Sequence, residues 1–297
     1  MKESKGIKIL AYITLTIVSL LAVMPLILLF IGSFTDNTTA IREGFSYFPS
    51  KYSTEAYKYI ADQWSLVGKG YLNTILVTVV GTAASLIITS MFGYGLTIRD
   101  LPGRKVLMIM VVISMLFNGG IVATYFVYTN VINIKDTYFA LILPGMLMSA
   151  FNVILVSNYF RNSVSAELLE AARVDGATEF TVFWKILLPM SVPILATIGI
   201  MTAVGYWNDW TNGLYYLSSK DGQAYYTIQL ILNQINDNVN FIAANANNMG
   251  ITIDTSSIPS TTVRMAIATV GVLPILIAYP FFQKYFVKGI SLGGVKG

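Results

Sequence analysis

Four carboxylates, Glu167, Glu170, Asp175 and Glu179, crowd into one short stretch, SAELLEAARVDGATEFTVFWKILLP, residues 165–189. Acids clustered in this way could serve a membrane enzyme, hold a metal ion, or present charge to a basic partner. The rest of the chain narrows the choice, because it contains no His and no Cys. The commonest metal ligand and general base is therefore absent, as are thiolate sites and any disulfide framework. A second group with chemical content is YWNDW, where Tyr206, Trp207 and Trp210 surround Asn208 and Asp209. Aromatic faces beside amide and carboxylate groups suit the stacking and hydrogen bonding of a sugar. They equally suit the aromatic belt of a membrane interface.

The elements that carry these residues are apolar. Of 297 residues, 55% are hydrophobic and 11% are charged. Six apolar runs, charged only at Arg264 by the start of the last, approach the roughly 20 residues that cross a bilayer. They cover about 9–32, 71–96, 106–129, 137–159, 186–208 and 263–283. The first follows a basic start and is longer than a signal-peptide core, so it reads as an uncleaved span. An even number of spans puts both termini on one side. That side holds Lys2, Lys5, Lys8, Arg99, Arg104, Lys105, Arg161, Arg173, Lys185, Lys284, Lys288 and Lys296, against seven basic residues in the longer loops opposite. Both termini are thus expected in the cytoplasm. The formal charge of +4 is accounted for by this asymmetry, with no need of nucleic acid.

Span interiors carry no Asp, Glu, Lys, Arg or His under these boundaries. Ion-coupled carriers place such groups inside the membrane, so a secondary transporter is disfavoured. Prolines and small residues recur instead, at Gly81, Ala83, Ala84, Ser85, Gly93, Gly95, Gly119, Gly120, Pro144, Gly145, Pro189 and Pro193. They allow close helix approach and local breaks. Asn152 and Asn158 in the fourth span are expected to make interhelical hydrogen bonds.

The acidic stretch lies in the longest cytoplasmic loop, 160–189, and its pattern predicts a helical hairpin. Ser165 can cap a first helix, Glu167 sits in its first turn, and Gly176 stops it. A second helix begins at Thr178, with Phe180, Phe183, Trp184 and Leu187 on one face. A hairpin lying on anionic lipid would show a basic polar face. Here the four acids outnumber Arg161, Arg173 and Lys185, and they are four of the six cytoplasmic acids, the others being Glu3 and Asp100. A protein partner with a basic groove fits better.

The segment EAARVDGATEFTVFWKILLPMSVP resembles the EAA motif of ABC-importer permeases. It matches at Glu170, Ala171, Ala172, Asp175, Gly176, Ala177, Phe183, Ile186 and Pro189. YLNTILVTVVGT resembles the start of the permease domain, and FFQKYFVKGISLGGVKG resembles the tail of the second permease of maltose-type sugar importers. NGGIVATYFVYTNVINIKDTYFALILPG and the Asn-rich outer loop are similar to permeases for oligo- or polysaccharides in Gram-positive bacteria.

The resemblance implies an all-α integral membrane protein of the MetI-like, type I importer fold, with six transmembrane helices. It implies three parts: an N-terminal helix and outer loop over 1–70, the permease domain over 71–283, and a cytoplasmic tail over 284–297. It further implies that the hairpin seats in a cytoplasmic ATPase. The expected partners are a second permease, two ATPase copies and an extracytoplasmic solute-binding lipoprotein, with a carbohydrate as cargo in a bacterial plasma membrane. The chain has no G-x-x-x-x-G-K-[ST], and GYGLTI at 93–98 lacks a third glycine, so ATP and Mg²⁺ belong to the ATPase and no cofactor is expected on this chain. Within the maltose-type family the other permease can hold most of the sugar, which leaves YWNDW as a candidate pathway only. A permease for a non-sugar solute stays open as the alternative.

Overall fold

The computed structural model describes residues 5–245 and 260–293. The last four positions of the C-terminal tail, and positions 246–248 of the Asn-rich stretch, lie outside the described residues. In chain order the helices are α1 (Lys5–Ser33), α2 (Asn37–Glu43), α3 (Glu55–Ala61), α4 (Trp64–Gly95), α5 (Arg104–Leu116), α6 (Gly120–Phe126), α7 (Phe139–Ile142) and α8 (Ala150–Ser163). They continue as α9 (Ala166–Val174), α10 (Glu179–Thr181), α11 (Leu188–Met190), α12 (Val192–Asn208), α13 (Thr211–Tyr216), α14 (Ile228–Asn245) and α15 (Ser260–Gly293). π-helical turns occupy Val127–Val131 and Val182–Leu187. Among the described residues there is no strand, and an isolated bridge pairs Thr35 with Tyr52.

The backbone divides into two compact units, residues 1–68 with 231–274, and residues 69–230 with 275–297. In the first, α1 is apolar on all sides and buries only Gly32 and Ser33 within the chain. A helix of that kind belongs in lipid or against another membrane helix. Asp36 caps α2 by accepting from the Thr39 amide, and Lys51 lies 3.1 Å from its other oxygen. Hydrogen bonds from the Thr38 hydroxyl, from Lys51 and from the Thr39 amide hold the Asp36 carboxyl down to about 2.

Among the described residues, the second unit holds three buried clusters. One gathers Val77, Leu141, Tyr206, Tyr216 and Leu230. Another gathers Tyr94, Val156, Phe160, Phe183, Leu187 and Ile198, and a small third joins Leu96, Val111 and Val153. Close approach is built in at Gly81, where an added Cβ would stand 2.6 Å from the Tyr206 ring.

α1 and α4 are each long and apolar enough to cross a bilayer. The segments Glu179–Met190 and Val192–Asn208 qualify together but bend by 81° at Ser191. Pro193 causes the break, since it lacks an N–H and crowds the carbonyl four residues back. The run expected over 186–208 is therefore two pieces. The run over 106–129 is likewise split, because Phe117 turns extended and Asn118 Oδ1 accepts from the Gly120 amide at 3.0 Å. The run over 137–159 breaks between α7 and α8. Its freed carbonyls find side chains: Asn212 Nδ2 donates to Pro144 O at 3.2 Å and Ser85 Oγ to Met146 O at 3.2 Å. Such breaks are tolerated at membrane depth when neighbouring side chains take up the backbone groups.

Candidate functional site

The first arm of the hairpin is α9. Ser165 Oγ accepts from the Leu168 amide at 3.3 Å and donates to Glu167 Oε2 at 2.8 Å, so the cap also orients the first acid. The helix ends in a Schellman motif: the Ala177 amide donates to Ala172 O at 2.9 Å and the Gly176 amide to Arg173 O at 3.0 Å. Gly176 stands at φ +89, where a side chain is strained. The apolar contact that accompanies this motif comes from Ala172 and Ala177, which pack against the same buried cluster.

Three of the matched residues, Ala172, Gly176 and Ala177, thus build the turn. Glu170, Ala171 and Asp175 are exposed on its surface, as is Pro189 at the far end. The second arm starts where Thr178 Oγ1 accepts from the Thr181 amide at 3.3 Å. It then widens into the π-helical turn, and this changes which residues share a face. Val182, Phe183 and Leu187 are buried, whereas Phe180 and Trp184 are exposed at 69% and 39% and touch at 5.9 Å. The expected single face of Phe180, Phe183, Trp184 and Leu187 is corrected accordingly, because a widened turn does not keep the 3.6-residue period. Phe183 packs on Tyr94 with ring centroids 5.7 Å apart.

The structure adds three residues that the acid count did not single out as a unit. Arg173 Nε donates to Glu179 Oε1 at 2.7 Å and Arg173 Nη2 to Glu179 Oε2 at 3.3 Å, a two-pronged pairing of the arms. Tyr94, in the last turn of α4, accepts from Arg173 Nη2 at 3.1 Å and donates to Glu179 Oε2. The Arg173 guanidinium holds the Glu179 carboxyl below its ordinary value. Glu179 therefore serves inside the hairpin, leaving Glu167, Glu170 and Asp175 to face outward. Arg161 Nη2 donates to Leu96 O at 2.6 Å and ties the end of α8 to the end of α4. The sequence signal for this group was Arg173 and Glu179 on either side of a glycine turn; nothing local pointed to Tyr94.

At the other end of α12, YWNDW does more structural than open work. Tyr206 is buried and its hydroxyl donates to Ile142 O at 2.8 Å. Asn208 Nδ2 donates back to Val204 O at 3.0 Å. Asp209 Oδ1 accepts from the Thr211 and Asn212 amides, the first two of α13, at 3.1 and 3.2 Å. Trp207 is half-buried with its ring 6.4 Å from Tyr71, and Trp210 is exposed. Asn152 is buried and Asn158 exposed. Among the described residues no three acids converge to hold a metal ion.

Comparison with known proteins places this arrangement. Residues 97–292 match the family described as binding-protein-dependent transport system inner membrane component. The polygalacturonan/rhamnogalacturonan transport system permease protein YtcP of Bacillus subtilis (strain 168) is 38% identical over 288 residues, 97% of each chain. The protein LplC of the same organism is 36% identical over 280 residues, 94% of this chain and 91% of that one. Among solved structures, a bacterial ABC transporter involved in the import of the acidic polysaccharide alginate has a chain that superposes with a TM-score of 0.77 at 29% identity, covering 96% of this chain and 99% of that one. The chain belongs to the binding-protein-dependent transport system inner membrane component family of ABC importers.

Proposed function

We propose that this chain is one of two permease subunits of an ATP-driven importer for an oligo- or polysaccharide, with six spans and both termini in the cytoplasm. As a family member it is a transport subunit of the plasma membrane rather than an enzyme. The cargo class is supported by its relatives, whose names refer to polygalacturonan, rhamnogalacturonan and arabinooligosaccharides, and by the alginate importer whose fold it shares. A second permease completes the pathway, two ATPase copies bind ATP and Mg²⁺, and a solute-binding lipoprotein delivers the saccharide outside. Trp210, exposed just before α13, is the member of YWNDW we assign to stacking on a passing sugar ring.

The observation that carries the coupling role is the shape of the hairpin. A Schellman turn holds Glu170 and Asp175 out of the protein, and Phe180 is exposed on the second arm. Acidic side chains around a protruding apolar ring form a knob for a basic cleft. Glu170, Ala171 and Asp175 make the contact surface, while Ala172, Gly176, Ala177, Phe183 and Pro189 hold its form.

Co-purification from the native host in mild detergent tests this reading, with Asp175→Arg and a deletion of 165–185 beside the wild type. The wild type is expected to bring down an ATPase and a second permease, and both variants to lose the ATPase while keeping the permease. Uptake of labelled galacturonan, arabinan and alginate oligosaccharides by the host then tests the cargo. A wild-type chain that elutes without either partner, or an Asp175→Arg variant with full ATPase recovery and uptake, would overturn the assignment.

A further inference from the structure

The three-residue network at the root of the hairpin has a geometry that docking alone does not require. Arg173 closes the last turn of α9, Glu179 opens α10, and Tyr94 sits one residue from the end of α4. Each hydrogen-bonds to the other two. Three helices that diverge from one point are thus tied by one closed triangle of charge-assisted bonds. Such bonds are shorter and stronger than neutral ones, and the planar guanidinium fixes an angle as well as a distance.

Exposure distinguishes its members. The Arg173 and Glu179 side chains are 36% and 54% exposed, and an open pair of that kind holds little by itself. Tyr94 is buried and its ring is packed on Phe183, which anchors the triangle in the protein interior. A second tie runs alongside, from Arg161 to the Leu96 carbonyl just past the end of α4.

We infer that Tyr94, Arg173 and Glu179 are positioning residues that lock the hairpin to the inner end of α4, so that a displacement of the hairpin is carried into that helix without loss. The inference rests on the importer reading above and adds to it a route: force enters at Glu170 and Asp175, crosses this triangle, and leaves along α4. Without the triangle the hairpin could swing about its glycine turn while the membrane helix stayed still. Contact with the ATPase and transmission from it are then separate properties of separate residues.

The absence of cysteine allows a direct test, since labels introduced at two chosen positions have no competitor on this chain, and the partner subunits are used in cysteine-free form. Spin labels at Val174→Cys, exposed on the hairpin, and Asp100→Cys, beyond the end of α4, report the joint in the assembled importer in nanodiscs. With wild-type Tyr94, Arg173 and Glu179, the distance between them should not change when ATP is added. In Tyr94→Phe combined with Glu179→Gln it should shift on ATP addition by an amount on the order of one helical turn, about 5 Å. The ATPase should still co-purify with that variant. The exchange Arg173→Glu with Glu179→Arg in a chain that retains Tyr94, which keeps a donor and an acceptor for its hydroxyl, should keep the locked behaviour, and a shift in it on ATP addition would count against the inference.

An ATP-dependent shift already present in the wild type would overturn the inference, as would a double variant that stays locked. Loss of the ATPase from the double variant would also overturn it, by showing that the network supports docking alone. Failure of the wild-type chain to bind any ATPase is a different result, because it removes the importer reading itself.

Discussion

Replacing Gly81 with alanine adds one methyl group against a buried aromatic ring of the second unit, and its cost can be worked out from the geometry. The new carbon would lie 2.6, 2.7 and 2.9 Å from three atoms of the Tyr206 ring. Carbon atoms rest at about 3.5–4.0 Å, so ring or helix must move by about 1 Å. The ring has little freedom to do so: it is 1% exposed and its hydroxyl is held to Ile142 O at 2.8 Å. Overpacking a well-filled core costs about 1–3 kcal/mol. Loosening a buried hydrogen bond costs about 1–3 kcal/mol more. Partial relaxation makes these overlap, which gives a net loss of about 2–4 kcal/mol. For a chain of this size that lowers the apparent melting temperature by an amount on the order of 5–10 °C. The assay is tryptophan fluorescence of the purified protein in detergent, heated at one fixed scan rate. A second variant, Tyr206→Leu, removes the obstacle, so Gly81→Ala should cost much less in that background than in the wild type. A Gly81→Ala protein that melts with the wild type, or one whose loss simply adds to that of Tyr206→Leu, would refute the reasoning.

Gly176→Ala should destabilise the hairpin turn by about 1–2 kcal/mol, since its φ of +89 leaves the cost to the backbone alone, with nothing within 4 Å of the added carbon. Faster proteolysis at the turn, less marked for Gly176→Asn, is the readout. The cap of α2 should depend on pH through Asp36, whose carboxyl is lowered to about 2 by the Thr38 hydroxyl first, with Lys51 and the Thr39 amide adding to it. A depressed carboxylate stabilises the fold above its unfolded value near 4 and loses that contribution as pH falls toward 2. Amide exchange at Thr39 should therefore accelerate across that window, and Lys51→Met should move the change to higher pH. Asp136 occupies φ 56 and its Oδ1 accepts from the Ser218 and Ser219 amides at 2.9 and 3.2 Å. Asp136→Ala should expose both amides to exchange and cost about 1–3 kcal/mol, while Asp136→Asn should cost less.

Legibility in the sequence followed the range of the physics involved. The helix starts after Ser165 and Thr178 were readable because a cap acts over three residues. The long apolar helices α1 and α4 were readable because lipid imposes length directly. The positions of the breaks at Phe117, at Pro144 and at Ser191 do not follow from the sequence, although the small residues and prolines that permit them are visible. Whether such a residue bends a helix or merely lets a neighbour approach depends on what receives the freed backbone groups. For the break at Pro144 the receivers are Asn212 and Ser85, each about 60 residues or more away. The turn after α9 is legible in Gly176, which stands at φ +89. Glu179 equals the other acids by charge, and its two-pronged pairing with Arg173, closed by Tyr94 from another helix, separates it from them.

The 81° bend at Ser191 makes the segment from Glu179 to Asn208 a crank. At 1.5 Å per residue its inner arm, Glu179–Met190, is about 18 Å long and its outer arm, Val192–Asn208, about 25 Å. If the two turn together about the bend, each ångström of travel at Glu179 becomes about 1.4 Å at Asn208, in a direction nearly at right angles. Travel across the inner arm would then emerge as larger travel across the outer one. Softening that elbow alone should shorten the stroke at the outer end while leaving the inner end free to move.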